Sequence, residues 1–156
     1  MDIKKTANLF ANFTIKRIAE IFGITVFCSG ILLLLALLTY SPNDPNFVFP
    51  ENTKIENILG FRGSFISDIF FQSIGLISYL FAFTLIVSGI NIIRTKEFFL
   101  IIENIFFAVI YSMLGTLFLA YFYSEAFTLY INGNGGFIGS YLNQTFLNSI
   151  ILINEV

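Results

Sequence analysis

Residues 31–47 read ILLLLALLTYSPNDPNF, and no other stretch limits so sharply what this chain can fold into. An uncharged apolar run reaches Tyr40 and stops at once in Ser41-Pro42-Asn43-Asp44-Pro45. Leucines partition into hydrocarbon, and a tyrosine sits well at the headgroup level. Pro42 and Pro45 lack a backbone N–H and restrict the residue before them, so the helix cannot continue. Ser41, Asn43 and Asp44 have side chains that hydrogen-bond a tight, water-facing turn. The pattern is that of a helix leaving a membrane.

Composition agrees. Of the 156 residues, 56% are hydrophobic and 12% charged, and the mean hydropathy is +0.84. A soluble domain carries roughly 25% charged residues, so these residues cannot supply an ordinary water-facing surface. We therefore expect an all-α integral membrane fold with three transmembrane helices. A C-terminal interfacial, re-entrant or incomplete fourth helix is expected to follow them.

Residues 1–17 form a basic lead-in with Lys4, Lys5, Lys16 and Arg17 among apolar residues. They suit either a short partly helical approach or an amphipathic helix on anionic lipid. The transmembrane domain is expected over 18–123, with spans at about 18–40, 69–93 and 98–123. From Ile21 the first span holds no charge, giving about 20 residues at 1.5 Å each, enough to cross a bilayer core. Gly23 and Gly30 lie on one face, where a neighbouring helix can approach closely. Cys28, the single cysteine, reads as a small packing residue.

Residues 41–68 read as a polar connection and 94–97 as a short basic loop. The carboxylates of the first connection match no Ca²⁺ loop, and a solvated loop is the simpler expectation. Asp68 falls early in the helix that follows, where the helix dipole favours a carboxylate. In the third span, Ala108, Ser112, Thr116 and Ala120 recur every four residues, a shallow groove for a packing helix. Glu103 lies near the start of that span, either at the interface or as a buried polar site. Residues 124–156 read as a Gly-rich loop and a C-terminal helix; the run 142–153 is too short and too polar for an assured span.

Six of the eight basic residues (Lys4, Lys5, Lys16, Arg17, Arg94, Lys96) cluster at one side of this topology. They place the N-terminus in the cytoplasm. The segment GNGGFIG at 133–139 superficially resembles a phosphate loop, but no lysine follows Lys96 and a Walker A loop needs one. The sequence has no His, which removes the His-dependent triads and zinc sites. With a net charge of −2, nucleic-acid binding by these residues is not expected. We expect no enzyme activity, no cofactor and no metal, and the lipid bilayer as first partner.

LLLLALLTYSPNDPNF, followed by ENILGFRGSFISDIFFQSIGLISYLF, resembles the N-terminal membrane domain of the FtsK/SpoIIIE DNA translocases. In that family a first span ends in a Ser-Pro-x-Asp-Pro turn, matched by Ser41, Pro42, Asp44 and Pro45. A loop then closes on Asn-x-x-Gly-x-x-Gly, matched by Asn57, Gly60 and Gly63, before a second span that opens near Asp68. Gly135-Gly136-x-x-Gly139-Ser140 is similar to the loop before the family's fourth span. The resemblance implies a non-catalytic membrane-anchoring and assembly domain in the bacterial inner membrane at the division septum, serving chromosome segregation. It also implies self-association and contacts with division-site membrane proteins. Full-length members add a linker and a DNA-translocating ATPase. The sequence stops at Val156, about where a fourth span is due, so we expect either a piece of a longer protein or a free-standing remnant. The alternative from another class is a small multi-pass transport or channel accessory subunit. Its polar candidates are Gln72, Ser78, Thr84, Asn91 and Glu103.

Overall fold

The computed structural model describes residues 3–45, 54–123 and 132–147. They form α1 (Ile3–Leu38), α2 (Gly60–Ile74), α3 (Ile77–Thr95), α4 (Leu100–Phe122) and α5 (Gly136–Leu142). A π-helical turn, Asn143–Leu147, follows α5. There is no strand among the described residues. Three stretches are long and apolar enough to cross a membrane: Leu9–Leu38 within α1, Ile77–Thr95 and Leu100–Phe122. The protein is thus an all-α membrane protein. The end of the expected C-terminal helix, residues 148–156, lies outside the described residues, as do 124–131.

The surface is built for lipid. Leu32, Leu80, Phe83, Val87, Phe106, Phe107 and Leu114 are exposed, whereas Ser64, Ser67, Ser78, Ser88 and Thr116 are buried. Water would drive the opposite arrangement; a bilayer core rewards apolar side chains outside and small or hydrogen-bonded ones between helices.

α1 and α3 pack closely along their length. A Cβ built on Gly89 would lie 2.5 Å from Phe27 N, and one on Gly30 would lie 2.8 Å from Ile86 N. A Cβ on Gly23 would lie 3.0 Å from Ile93 N. The glycines that mark one face of the first span therefore receive α3, backbone against backbone. α1 has 36 residues, about 54 Å at the α-helical rise. That exceeds the roughly 30 Å hydrocarbon core, so α1 projects beyond it. At the other end Leu33, Leu37, Phe71 and Ala82 form a buried cluster.

The second span begins differently from its sequence pattern. Hydropathy predicts one helix over 69–93, but the structure has two, meeting at Gly75. Gly75 takes a φ of +57°, which side-chain-bearing residues rarely adopt. Its N–H still bonds Phe71 O at 2.9 Å, but Leu76 N turns to Asn134 O at 3.0 Å. The break comes from a distant segment taking over the helix's next hydrogen bond. The stretch long and apolar enough to cross a membrane starts at Ile77, and α2 is left at the end where α1 stops.

Candidate functional site

The richest polar construction lies at that proline end. Asp44 and Pro45 are buried, Ser41 is half-buried and Pro42 is exposed. The Asp44 carboxylate, 4% exposed, accepts Glu56 N at 2.8 Å and Asn57 N at 3.0 Å. Asn57 carries the connection onward: its Nδ2 donates to Ala36 O at 2.9 Å and its Oδ1 accepts Leu59 N at 3.1 Å. Ile58 N donates to Thr39 Oγ1 at 3.3 Å, and Gly60 N to Asn57 O at 2.8 Å. The five successive N–H groups of residues 56–60 are all satisfied. Gly63 leaves room for this, since a Cβ there would overlap Asn57 Oδ1.

A second tier stands beside it. Ser64 Oγ donates to Pro45 O at 3.3 Å, and Tyr40 OH to Asp68 Oδ1 at 3.1 Å. Tyr79 OH reaches Leu37 O at 3.3 Å. The sequence-derived residues Ser41, Pro42, Asp44, Pro45, Asn57, Gly60, Gly63 and Asp68 thus gather at one end, with Asp44 and Asn57 at the centre. Tyr79, which the family resemblance also marks, joins them, and so do Thr39 and Ser64, which the sequence does not single out. Their signal is a hydroxyl beside an apolar run, which only a fold turns into a specific bond.

α2 also meets the segment before α5. Asn132 Nδ2 donates to Gln72 Oε1 at 3.1 Å, and Asn134 Nδ2 to Tyr123 O at 2.7 Å. Gly136 has a φ of +64°, and a Cβ on it would lie 2.6 Å from Ser73 O. Cβ atoms on Gly135 or Gly139 would overlap Thr116 O. The GNGGFIG segment is therefore a close-packed joint. Of the small residues on α4, Thr116 and Ala120 pack under this joint. Ala108 is buried farther along and Ser112 is half-buried.

At the opposite, basic end, Glu20 bonds Arg17 Nη1 at 2.5 Å and Lys96 Nζ at 2.6 Å. This ties α1 to the α3–α4 turn. Glu103 is exposed in the first turn of α4. Between α3 and α4, Asn104 Nδ2 donates to Ser88 Oγ at 2.9 Å, and Thr84 Oγ1 shares a 2.7 Å hydrogen bond with Tyr111 OH. A shallow open cavity of about 350 Å³ lies along these pairs, lined also by Leu80, Phe83 and Val87.

Together these features define a multi-span α-helical membrane module whose polar side chains lock its own turns and helix contacts. The chain belongs to the family described as the 4TM region of DNA translocase FtsK/SpoIIIE, which it matches over residues 15–153. It is 26% identical over 98 residues to the DNA translocase FtsK of Rhizobium meliloti, covering 63% of this chain and 11% of that protein. It is 40% identical over 62 residues to that of Caulobacter vibrioides, covering 40% of this chain and 8% of that protein. For Pseudomonas putida the identity is 33% over 82 residues, covering 52% of this chain and 10% of that protein. The matches thus span about a tenth of each of these relatives. No solved structure matches the chain significantly.

Proposed function

We propose that this chain is the non-catalytic membrane-anchoring and assembly domain of a bacterial cell-division DNA translocase, serving chromosome segregation at the septum. The observation that carries the reading is the family match over residues 15–153. The segregation of Lys16, Arg17, Arg94 and Lys96 to one end supports an inner-membrane orientation with that end in the cytoplasm. The proline end then faces outward, where the exposed Pro42 and Asn43 offer contacts to division-site membrane proteins or a second copy. The outer-loop residues, with Asp44 and Asn57 foremost, hold that end in shape, while Ala108, Ser112, Thr116 and Ala120 serve helix packing. Gly135, Gly136 and Gly139 are occupied by packing, so a phosphate cradle there is disfavoured.

A fluorescent fusion of the chain in dividing bacteria is expected to concentrate at midcell; an even signal around the envelope would sink the septal reading. The transport alternative has less support. Ser78 and Thr84 bond carbonyls of their own chain neighbourhood, Gly75 O and Leu80 O. Gln72 bonds Asn132, and Asn91 and Glu103 are exposed. Glu103→Lys is expected to leave membrane insertion and midcell placement intact.

A further inference from the structure

α2 buries small and polar residues together with one aromatic ring, and apart from Arg62 the residues it exposes are apolar. Gly63, Ser64 and Ser67 are on its buried side with Phe71. Phe61, Ile66 and Ile69 are exposed on the other side, and so is Ile58 just before the helix. At 100° per residue, positions 61, 62, 66 and 69 share one half of the helix and 63, 64, 67 and 71 the other. A helix lying in water would show the reverse polarity.

Depth points the same way. Asn57 is bonded to Ala36 O and Ile58 to the Thr39 hydroxyl. The chain therefore returns to the level of the last turn of α1, below Tyr40, instead of staying above it. The Thr39 hydroxyl that accepts Ile58 N itself donates to Leu35 O at 2.8 Å. Leu35, Leu38 and Ile58 are all exposed, so the apolar face that leads into α2 lies at the level of lipid-facing residues of α1. Irregular backbone survives at such a depth only when its polar groups are satisfied. The N–H groups of residues 56–60 meet that condition, through Asp44, Asn57 and Thr39. Arg62 is exposed on this face too, and its long stem lets the guanidinium reach the headgroups.

We propose that α2 and the turn before it are a re-entrant interfacial element, with Ile58, Phe61, Ile66 and Ile69 seated among acyl chains of the leaflet at the proline end. The partner of this face is lipid. The inference rests on the membrane fold and not on the division role, so the two can fail separately.

The test is depth-resolved quenching. The whole chain, with Cys28→Ala, carries one cysteine at a time (Ile66→Cys, Ile69→Cys or, as a water-side control, Asn43→Cys) and is labelled with bimane and reconstituted into phosphatidylcholine–phosphatidylglycerol vesicles. Far-UV circular dichroism verifies the helical content of each. Labels at 66 and 69 are expected to lose emission in vesicles of acyl-brominated lipid and to resist aqueous iodide, and the label at 43 to do the opposite. Iodide quenching at 66 and 69 without bromolipid quenching would put this face in water. Protection from both quenchers would mean that protein covers it. Either result overturns the proposal.

Discussion

The carboxylate of Asp44 accepts the backbone N–H of Asn57 at 3.0 Å, thirteen residues farther along the chain, and Asn57 in turn holds Ala36 O. Through this pair the turn that ends α1 is fixed to α1 itself. Asp44→Ala leaves the N–H groups of Glu56 and Asn57 without their acceptor, each worth about 1–3 kcal/mol when buried. Asn57 is buried but Glu56 is exposed, so the second group counts for less and a loss of about 2–4 kcal/mol is expected, read as thermal unfolding in detergent micelles. Trypsin should cut faster at the nearby Lys54 and Arg62. Asp44→Asn keeps one acceptor and should fall between. Wild-type unfolding in Asp44→Ala would show that the pair holds nothing.

Gly60 and Gly75 separate two reasons for a glycine. Both have positive φ, +65° and +57°. A Cβ on Gly60 meets nothing within 4 Å, whereas one on Gly75 overlaps the carbonyl of Asn134. Gly60→Ala should cost only the conformational strain, about 1–2 kcal/mol. Gly75→Ala should cost more, because the Leu76–Asn134 hydrogen bond must also move. The comparison is made by melting both variants in the same detergent; equal losses would contradict the close approach.

Ala120 and Thr116 face glycines, and that decides how α4 tolerates size. A Cβ on Gly135 would already sit 3.0 Å from Ala120 Cβ. Ala120→Leu should overpack the joint by about 1–3 kcal/mol, while Val109→Leu, on the exposed side of α4, should be nearly neutral. Cysteine crosslinking between α4 and α5 before and after each change provides the measurement. Undiminished crosslinking in Ala120→Leu would count against the contact.

At the basic end, Glu20 bonds Arg17 and Lys96 together. Such pairs in water contribute little and are screened by salt. Glu20→Gln is therefore expected to loosen the α1 to α3–α4 contact slightly at low ionic strength and not at all at high ionic strength. Unfolding of both proteins across a salt series checks this.

Legibility differs from residue to residue, for physical reasons. The exit at Ser41–Pro45 is visible because proline and the end of an apolar run act locally. The glycine face of α1 is visible for a related reason, since Gly23 and Gly30 are a helical spacing apart, though only the fold reveals Gly89 opposite them. The break at Gly75 depends on Asn134, far along the chain, and no local pattern announces it. GNGGFIG reads as a flexible turn because its glycines look free; in the fold Thr116 O and Ser73 O fill the space that side chains would need. A helix is legible from about Ser64, but hydropathy averaging runs α2 into α3, and where serines alternate with large apolar residues the average cannot say which side is buried.

Thr84 and Tyr111, and likewise Ser88 and Asn104, join α3 to α4 by side-chain hydrogen bonds at 2.7 and 2.9 Å. Interhelical bonds of this kind in a bilayer are worth about 0.6 kcal/mol on average. Tyr111→Phe should cost about that, since Thr84 Oγ1 also bonds Leu80 O and is not left alone. Asn104→Leu should cost more, because it changes shape as well as removing the donor to the buried Ser88. The two lesions lie along the same pair of helices and share the cavity wall, so the double variant is expected to depart from additivity. Steric trapping or detergent unfolding of the four proteins closes the cycle. A zero coupling energy would mean that the two bonds act independently, and that α3 and α4 are held by packing between them.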